Sequence, residues 1–242
     1  MIEILNIDCM QYMAGVSNNS FDLAIADPPY GINGNSHRRN KNRGRLAKSN
    51  NYHMALWGQP IPTNDYFKEL FRVSKNQIVF WANYFESIGE PKKSPRRTEY
   101  EQFIQSNPTG WIIWDKVNGT TGFNDCELIW TSFKFESFIY KFMWNGFMQG
   151  KSMNQGDVMQ PIKEKNEKRI HPTQKPVELY KWIFDKYTQP CALVLDTHLG
   201  SGSSAIAAHR KGVYFTGCEL DPIYYAGAKK RFKEQTAQIA AF

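Results

Sequence analysis

The stretch "VLDTHLGSGSSAIAAHRKGVYFTGCELD", residues 194–221, limits the possible folds more than any other part of the chain. An apolar run, "ALVLD" (192–196), leads into Asp196 and a glycine turn; a small-residue helix follows in "GSGSSAIAAHRKG" (200–212) and stops at a glycine; a second strand, "VYFTGCE" (213–219), ends on Glu219. Strand, turn, helix, strand is a βαβ unit, so the two strands lie parallel and the glycine turn faces the sheet's carboxyl end. A parallel sheet needs both faces covered, which predicts an α/β class with a mostly parallel, doubly wound sheet.

Gly200 and Gly202 permit positive φ and let backbone approach a ligand closely. Glu219 follows Asp196 by 23 residues, near the ~20 expected for an acid that grips ribose hydroxyls at the second strand's end. "GSGSS" lacks the third glycine of a dinucleotide fingerprint, and Asp196 repels phosphate but attracts an ammonium group. An adenosine-containing cationic ligand therefore fits better than NAD, with a plain tight turn as the structural alternative.

A second strand end carries chemistry. In "FDLAIADPPYG" (21–31), Phe21, Leu23 and Ile25 suit a buried strand, and Asp27 stands where it ends. Pro28 and Pro29 fix their own φ and hold the residue before each extended. A carboxylate, rigid carbonyls and the Tyr30 ring are thus presented together at a strand's carboxyl end, where ligands bind in open α/β sheets.

The rest of the chain supplies framework. "IEILNI" (2–7) reads as a strand, "DCMQYMAGV" as a short helix, "DYFKELFRVS" (65–74) as a helix and "QIVFWA" (77–82) as a strand. "YEQFIQSN" (100–107) suits a short helix, "GWIIWDK" and "CELIWTSF" two strands, "PVELYKWIFDKY" (176–187) a helix with Pro176 in its first turn, and "DPIYYAGAKKRFKEQTAQ" a final helix. Residues 133–170 are rich in Lys, Gln, Asn and Gly and read as a surface-lying segment. The length, 242 residues with 41% hydrophobic, suits one domain over 1–242, with residues 32–64 and 133–168 as insertions. No apolar run reaches the ~18 residues of a membrane span, and "MIEILNIDC" lacks a signal-peptide pattern. Cys9, Cys126, Cys191 and Cys218 form no paired metal motif and are expected as reduced, buried thiols of a cytoplasmic protein, with no metal.

The formal net charge of +7 favours a polyanionic partner. Between residues 36 and 48 lie Arg38, Arg39, Lys41, Arg43, Arg45 and Lys48 with no acid among them. A basic loop in a chain with 16 Phe, 12 Tyr and 7 Trp suits contact with phosphates and stacking on bases; a solvated loop is the alternative.

Taken together, "DPPY", "LDTHLGSGSS" and "HPTQKPVEL" (171–179), with the tetrapeptide first and the glycine loop last, resemble the motifs of the amino-group DNA methyltransferases, in the permuted β subgroup. The resemblance implies a Rossmann-like methyltransferase fold with a small DNA-recognition insertion, S-adenosylmethionine as cofactor and double-stranded DNA as partner. It implies catalysis by Asp27, Pro28, Pro29 and Tyr30. The cofactor residues it implies are Asp8 and Cys9 near the adenine end, His171, Thr173 and Lys175 near the methionine carboxylate, and Asp196, His198, Gly200, Ser201, Gly202, Ser203 and Glu219 around the glycine turn. For Asp8, a helix cap is the structural alternative. Family members carry proline and an aromatic where this chain has Thr197 and His198. The expected reaction is methylation of adenine N6 in a short specific sequence by base flipping; cytosine N4, a non-catalytic DNA-binding protein, and RNA or protein-amide methylation are the alternatives. The small size leaves room for a homodimer or partner subunit, and a cognate restriction enzyme is neither required nor excluded.

Overall fold

The computed structural model describes residues 1–29, 61–82, 110–117, 126–134, 137–145, 148–151 and 166–237. Among these residues nine strands form one sheet: β1 (Ile2–Leu5), β2 (Phe21–Ala26), β3 (Ser74–Phe80), β4 (Gly110–Asp115), β5 (Cys126–Thr131), β6 (Ser137–Asn145), β7 (Met148–Lys151), β8 (Leu193–Asp196) and β9 (Tyr214–Cys218). Their order is β1-β9-β8-β2-β3-β5-β4-β6-β7. The first five run parallel, β5 is antiparallel to both of its neighbours, β4 and β6 are parallel to each other, and β7 turns back on β6.

Among the described residues, five helices cover the sheet: α1 (Cys9–Ala14), α2 (Asn64–Val73), α3 (Val177–Tyr187), α4 (Ser203–Lys211) and α5 (Pro222–Ala237). Strand alternation feeds two cores. Leu23, Ile25, Ile78, Phe80 and Val194 pack with α3 and α4 on one face. Ala24, Ala26, Val79, Leu195 and Trp130 pack with Tyr66, Phe67 and Leu70 of α2 and Met13 of α1 on the other. The sheet is thus doubly wound, as the βαβ unit required. Ala205, Ile206, Ala207 and Ala208 of α4 are fully buried, because α3 and α5 flank that helix and small side chains let them approach. Among the described residues no helix is long and apolar enough to cross a membrane.

Three expectations need correction. Within the segment expected to lie on the surface, Ser137–Asn145 and Met148–Lys151 instead form β6 and β7 and extend the sheet, with Phe142, Met143 and Trp144 buried. Tyr140 stacks on Trp182 of α3 with ring centroids 5.0 Å apart, and the Trp144 indole donates to the Gln174 carbonyl at 2.8 Å. Pro176 stands at the cap of α3, one residue before its first turn. All four cysteines are free, but only Cys218 is buried; Cys9 and Cys126 are half-buried, and Cys191 is exposed on a turn with φ of 62°. The expected helix at 100–107 lies outside the described residues.

Candidate active site

The sheet's carboxyl edge brings the two informative turns together. Ile25 of β2 is in register with Asp196 of β8, Asp196 with Gly217 of β9, and Leu5 of β1 with Cys218. Asp27, the 197–202 turn, Glu219 and Asp8 therefore all leave the same edge. The Thr197 amide donates to the Ile25 carbonyl at 3.2 Å, tying the β8 turn to β2. From β8 the chain winds through α4 to β9, and from β2 it winds through α2 to β3 on the opposite side. This reversal of winding opens a crevice between neighbouring strands, the place where such sheets bind ligands.

The glycine turn is built from backbone. Gly200 and Gly202 have φ of 55° and 75°, which only glycine adopts without strain. Glu219 lies across from it: Oε2 accepts from the Gly200 amide at 2.7 Å and Oε1 from the Asp221 amide at 2.9 Å. Each oxygen keeps lone-pair capacity for a hydroxyl ligand. Burial pushes the Glu219 carboxyl up to about 6, against these two amides. Asp196 is buried and accepts from the Ser204 hydroxyl and, at 3.0 Å, from the His198 amide; burial pushes it up to about 7.

His171 packs beneath Gly200 and against Tyr224, with ring centroids 4.3 Å apart. Its Nδ1 accepts from the Thr173 amide at 3.3 Å, and burial lowers its pKa to about 4. The ring is neutral with its proton on Nε2. His198 sits edge-on to Tyr66, 5.4 Å between centroids. Hydroxyls link Tyr66 to Thr197 (2.7 Å) and Thr197 to His198 Nδ1 (2.9 Å). Burial lowers His198 to about 4 as well. Ser201 and Ser203 are buried, and their hydroxyls bond each other. Ser203 also donates to the Lys175 carbonyl at 2.7 Å, and Arg231 of α5 donates to the Ser201 carbonyl and the Ser203 hydroxyl. These serine side chains therefore hold the turn rather than face its open side. Asp8 caps α1, accepting from the Met10 and Gln11 amides through Oδ1 alone. Cys9 opens that helix with its thiol pushed up to about 12 by burial.

Asp27 is held asymmetrically. Its Oδ2 accepts from Lys175 Nζ at 2.8 Å, while its Oδ1 is buried with no hydrogen-bond partner among the described residues. Lys175 is 3% exposed and also lies 3.4 Å from Glu127 Oε2; Lys116 pairs with Glu127 Oε1 at 2.6 Å. Burial raises the Asp27 carboxyl above the usual range, and the Lys175 cation opposes that rise. Lys175 thus ends on the Asp27 carboxylate, a contact its place in the "TQKP" stretch did not disclose. Glu127 and Lys116 were missed as well. The available signal was a charged residue at a core-facing position inside the apolar strand "CELIWT". Pro28 is buried and Pro29 half-buried. Tyr30 and the six basic residues from Arg38 to Lys48 lie outside the described residues.

Comparison with known proteins identifies the family. The DNA methylase family model for N6 and N4 methyltransferases matches residues 21–230. The type II methyltransferase M.HinfI of Haemophilus influenzae is 27% identical over 96% of this chain, which spans 68% of that relative's length. The crystal structure of the M1.HpyAVI–SAM complex superposes with a TM-score of 0.55 at 21% identity, covering 96% of this chain and 100% of that one. The cytosine-N4-specific PvuII DNA methyltransferase does so with a TM-score of 0.53 at 12% identity, covering 98% and 91%. With the carboxylate turn and the glycine turn on one sheet edge, and the family match spanning both, this chain belongs to the DNA methylase family of amino-group methyltransferases.

Proposed function

We propose that the chain methylates adenine N6 within a short specific sequence of double-stranded DNA, acting on a base flipped out of the duplex. The observation that carries this is the buried, unpartnered Oδ1 of Asp27 beside the β8 turn. An exocyclic amine is a poor nucleophile while its lone pair is delocalised into the ring. Two acceptors aimed at its hydrogens draw the nitrogen toward tetrahedral geometry. Asp27 Oδ1 supplies one acceptor and the Pro28 carbonyl the other. The Pro-Pro backbone keeps both aimed, and Tyr30 offers a flat face to the extruded base.

The residues fit S-adenosylmethionine, the family's cofactor: a left-handed glycine turn, a carboxylate with spare lone pairs opposite it, and a neutral histidine beneath it. Glu219 would hold the ribose hydroxyls, Asp8 Oδ2 would face the adenine end, and His171 and Thr173 would lie toward the methionine end. When bound, the sulfonium supplies the reactive methyl.

"DPPY" supports adenine, since serine in its first position accompanies cytosine N4 more often in the family it resembles. The six basic residues from Arg38 to Lys48 and the 133–168 segment are assigned the DNA contacts, the latter beyond its two sheet strands. The relative's type II designation supports a restriction–modification setting in the cytoplasm. Expression in a methylation-free bacterial host followed by modification-sensitive long-read sequencing tests the proposal. N6-methyladenine at one recurrent motif is expected. N4-methylcytosine would overturn the base assignment, and unmodified DNA from folded, cofactor-binding protein would overturn the activity.

A further inference from the structure

Among the described residues, two cations and two acids, Glu127 and Lys175 buried and Lys116 and Asp27 half-buried, form a chain, Lys116–Glu127–Lys175–Asp27, that ends on the proposed catalytic carboxylate. Its side chains are 15%, 6%, 3% and 14% exposed, too desolvated for an incidental surface pairing. Burying charges is costly unless partners offset it, so a core that gained only packing would do better with apolar residues here. The chain has a direction. Lys175 occupies one Asp27 oxygen and leaves the other, Oδ1, without a partner. Glu127 takes Lys175 from the far side at 3.4 Å and is itself held by Lys116 at 2.6 Å. Lys175 also lies over the Phe80 ring, and its own carbonyl accepts from Ser203 of the α4 entry. The same residue therefore contacts the carboxylate through its side chain and the glycine-turn helix through its backbone.

We infer that Lys175, braced by Glu127, is a positioning residue for methyl transfer: it pins Asp27 by Oδ2 and leaves Oδ1 as the acceptor for the substrate amine. This rests on the assignment of Asp27 as that acceptor. Among the described residues, the charged and titratable groups facing Asp27 are Lys175 before α3, Glu127 on β5, Lys116 after β4, Tyr180 on α3 and Asp196 on β8. Lys175 and Lys116 favour the ionised Asp27, and Glu127 opposes it. Removing Lys175 and removing the Glu127 charge should therefore move the acidic limb of the rate profile in opposite directions.

The test uses full-length Lys175→Met, Lys175→Arg, Glu127→Gln and Asp27→Ala. Single-turnover transfer of labelled methyl to a duplex carrying the sequenced motif is followed from pH 5 to 9, with S-adenosylmethionine affinity measured by calorimetry. Lys175→Met is expected to lose roughly tenfold or more in rate at neutral pH. Its acidic limb should move up by about one pH unit or more, as loss of an adjacent opposite charge requires. Affinity should stay within about threefold, since Lys175 contacts Asp27 rather than the cofactor turn's open side. Lys175→Arg keeps the cation and should restore most of the rate and the wild-type limb. Glu127→Gln should move the limb down. If Lys175→Met does not fold, Lys175→Arg and Glu127→Gln still decide: a limb that stays put in Glu127→Gln, or moves up in both, overturns the proposal. So does a parallel loss of rate and cofactor affinity in Lys175→Met, which would place Lys175 at the cofactor. Full activity of Asp27→Ala overturns the underlying assignment itself. Inactive Asp27→Ala with unmoved limbs in the other variants overturns only the clamp.

Discussion

At the scale of single residues, buried carboxylates do the organising, and they differ in what they hold. Asp196 accepts from a hydroxyl and an amide yet is pushed up to about 7, because burial outweighs both hydrogen bonds. Its folded pKa lies above the unfolded value of about 3.9, so its contribution to stability is fully present below about pH 4 and lost as pH rises through about 7. Asp196→Asn, whose Oδ1 still accepts from the His198 amide while its Nδ2 donates to the Ser204 oxygen in a reversed bond, should raise the melting temperature at pH 8 and leave it nearly unchanged at pH 4. Scanning calorimetry at the two pH values checks this, and an equal shift at both would contradict it. A domain of this size moves roughly 2–4 °C per kcal/mol, so the difference is measurable. Glu219 has a different task. Its oxygens bridge the Gly200 and Asp221 amides at the carboxyl end of β9. Glu219→Ala should weaken S-adenosylmethionine binding by about tenfold or more in titration calorimetry, on the scale of removing one charged hydrogen-bond partner. Unchanged affinity would remove Glu219 from the ribose position.

At the scale of elements, α4 is the most demanding piece. It enters through Gly202 and leaves through Gly212, both left-handed, and it lies between α3 and α5. A Cβ on Gly202 would come within 3.2 Å of Ala228, whereas one on Gly212 would meet nothing within 4 Å. Gly212→Ala should therefore cost about 1 kcal/mol of backbone strain alone, and Gly202→Ala more, on the order of 2–3 kcal/mol. Chemical denaturation orders the two variants, and equal costs would contradict the close packing of α4 on α5. This helix was legible in the sequence because two glycines bracket a run of small residues. β2, β8 and β9 were legible because apolar runs end on Asp27, Asp196 and Glu219. β6 was not. Its period-two aromatics, Phe138, Tyr140, Phe142 and Trp144, are the strand signal, but intervening Lys and flanking Asn and Gly made the region read as surface. The pairing of Lys175 with Asp27 was out of reach for another reason. It spans 148 positions and depends on β2, β5 and the α3 entry meeting at one point, which no local pattern encodes.

At the scale of the whole molecule, the proposed function divides the work between a net charge of +7 that would hold a polyanion and a crevice at one sheet edge that would do the chemistry. Neutralising Arg38, Arg39, Arg43 and Arg45 together should flatten the salt dependence of DNA binding, the log–log slope falling by close to one for each phosphate that is no longer neutralised. An unaltered slope in a fluorescence titration would mean those residues do not touch the duplex. The central claim concerns the crevice: an acceptor from the β2 turn works across it on what the β8 turn holds. The most direct measurement pairs single-turnover methyl transfer with cofactor calorimetry in Asp27→Ala. Transfer is expected to fall by on the order of a hundredfold or more while cofactor affinity stays within about threefold. Undiminished transfer, or affinity that falls in step with rate, would contradict the division of the site between the two turns.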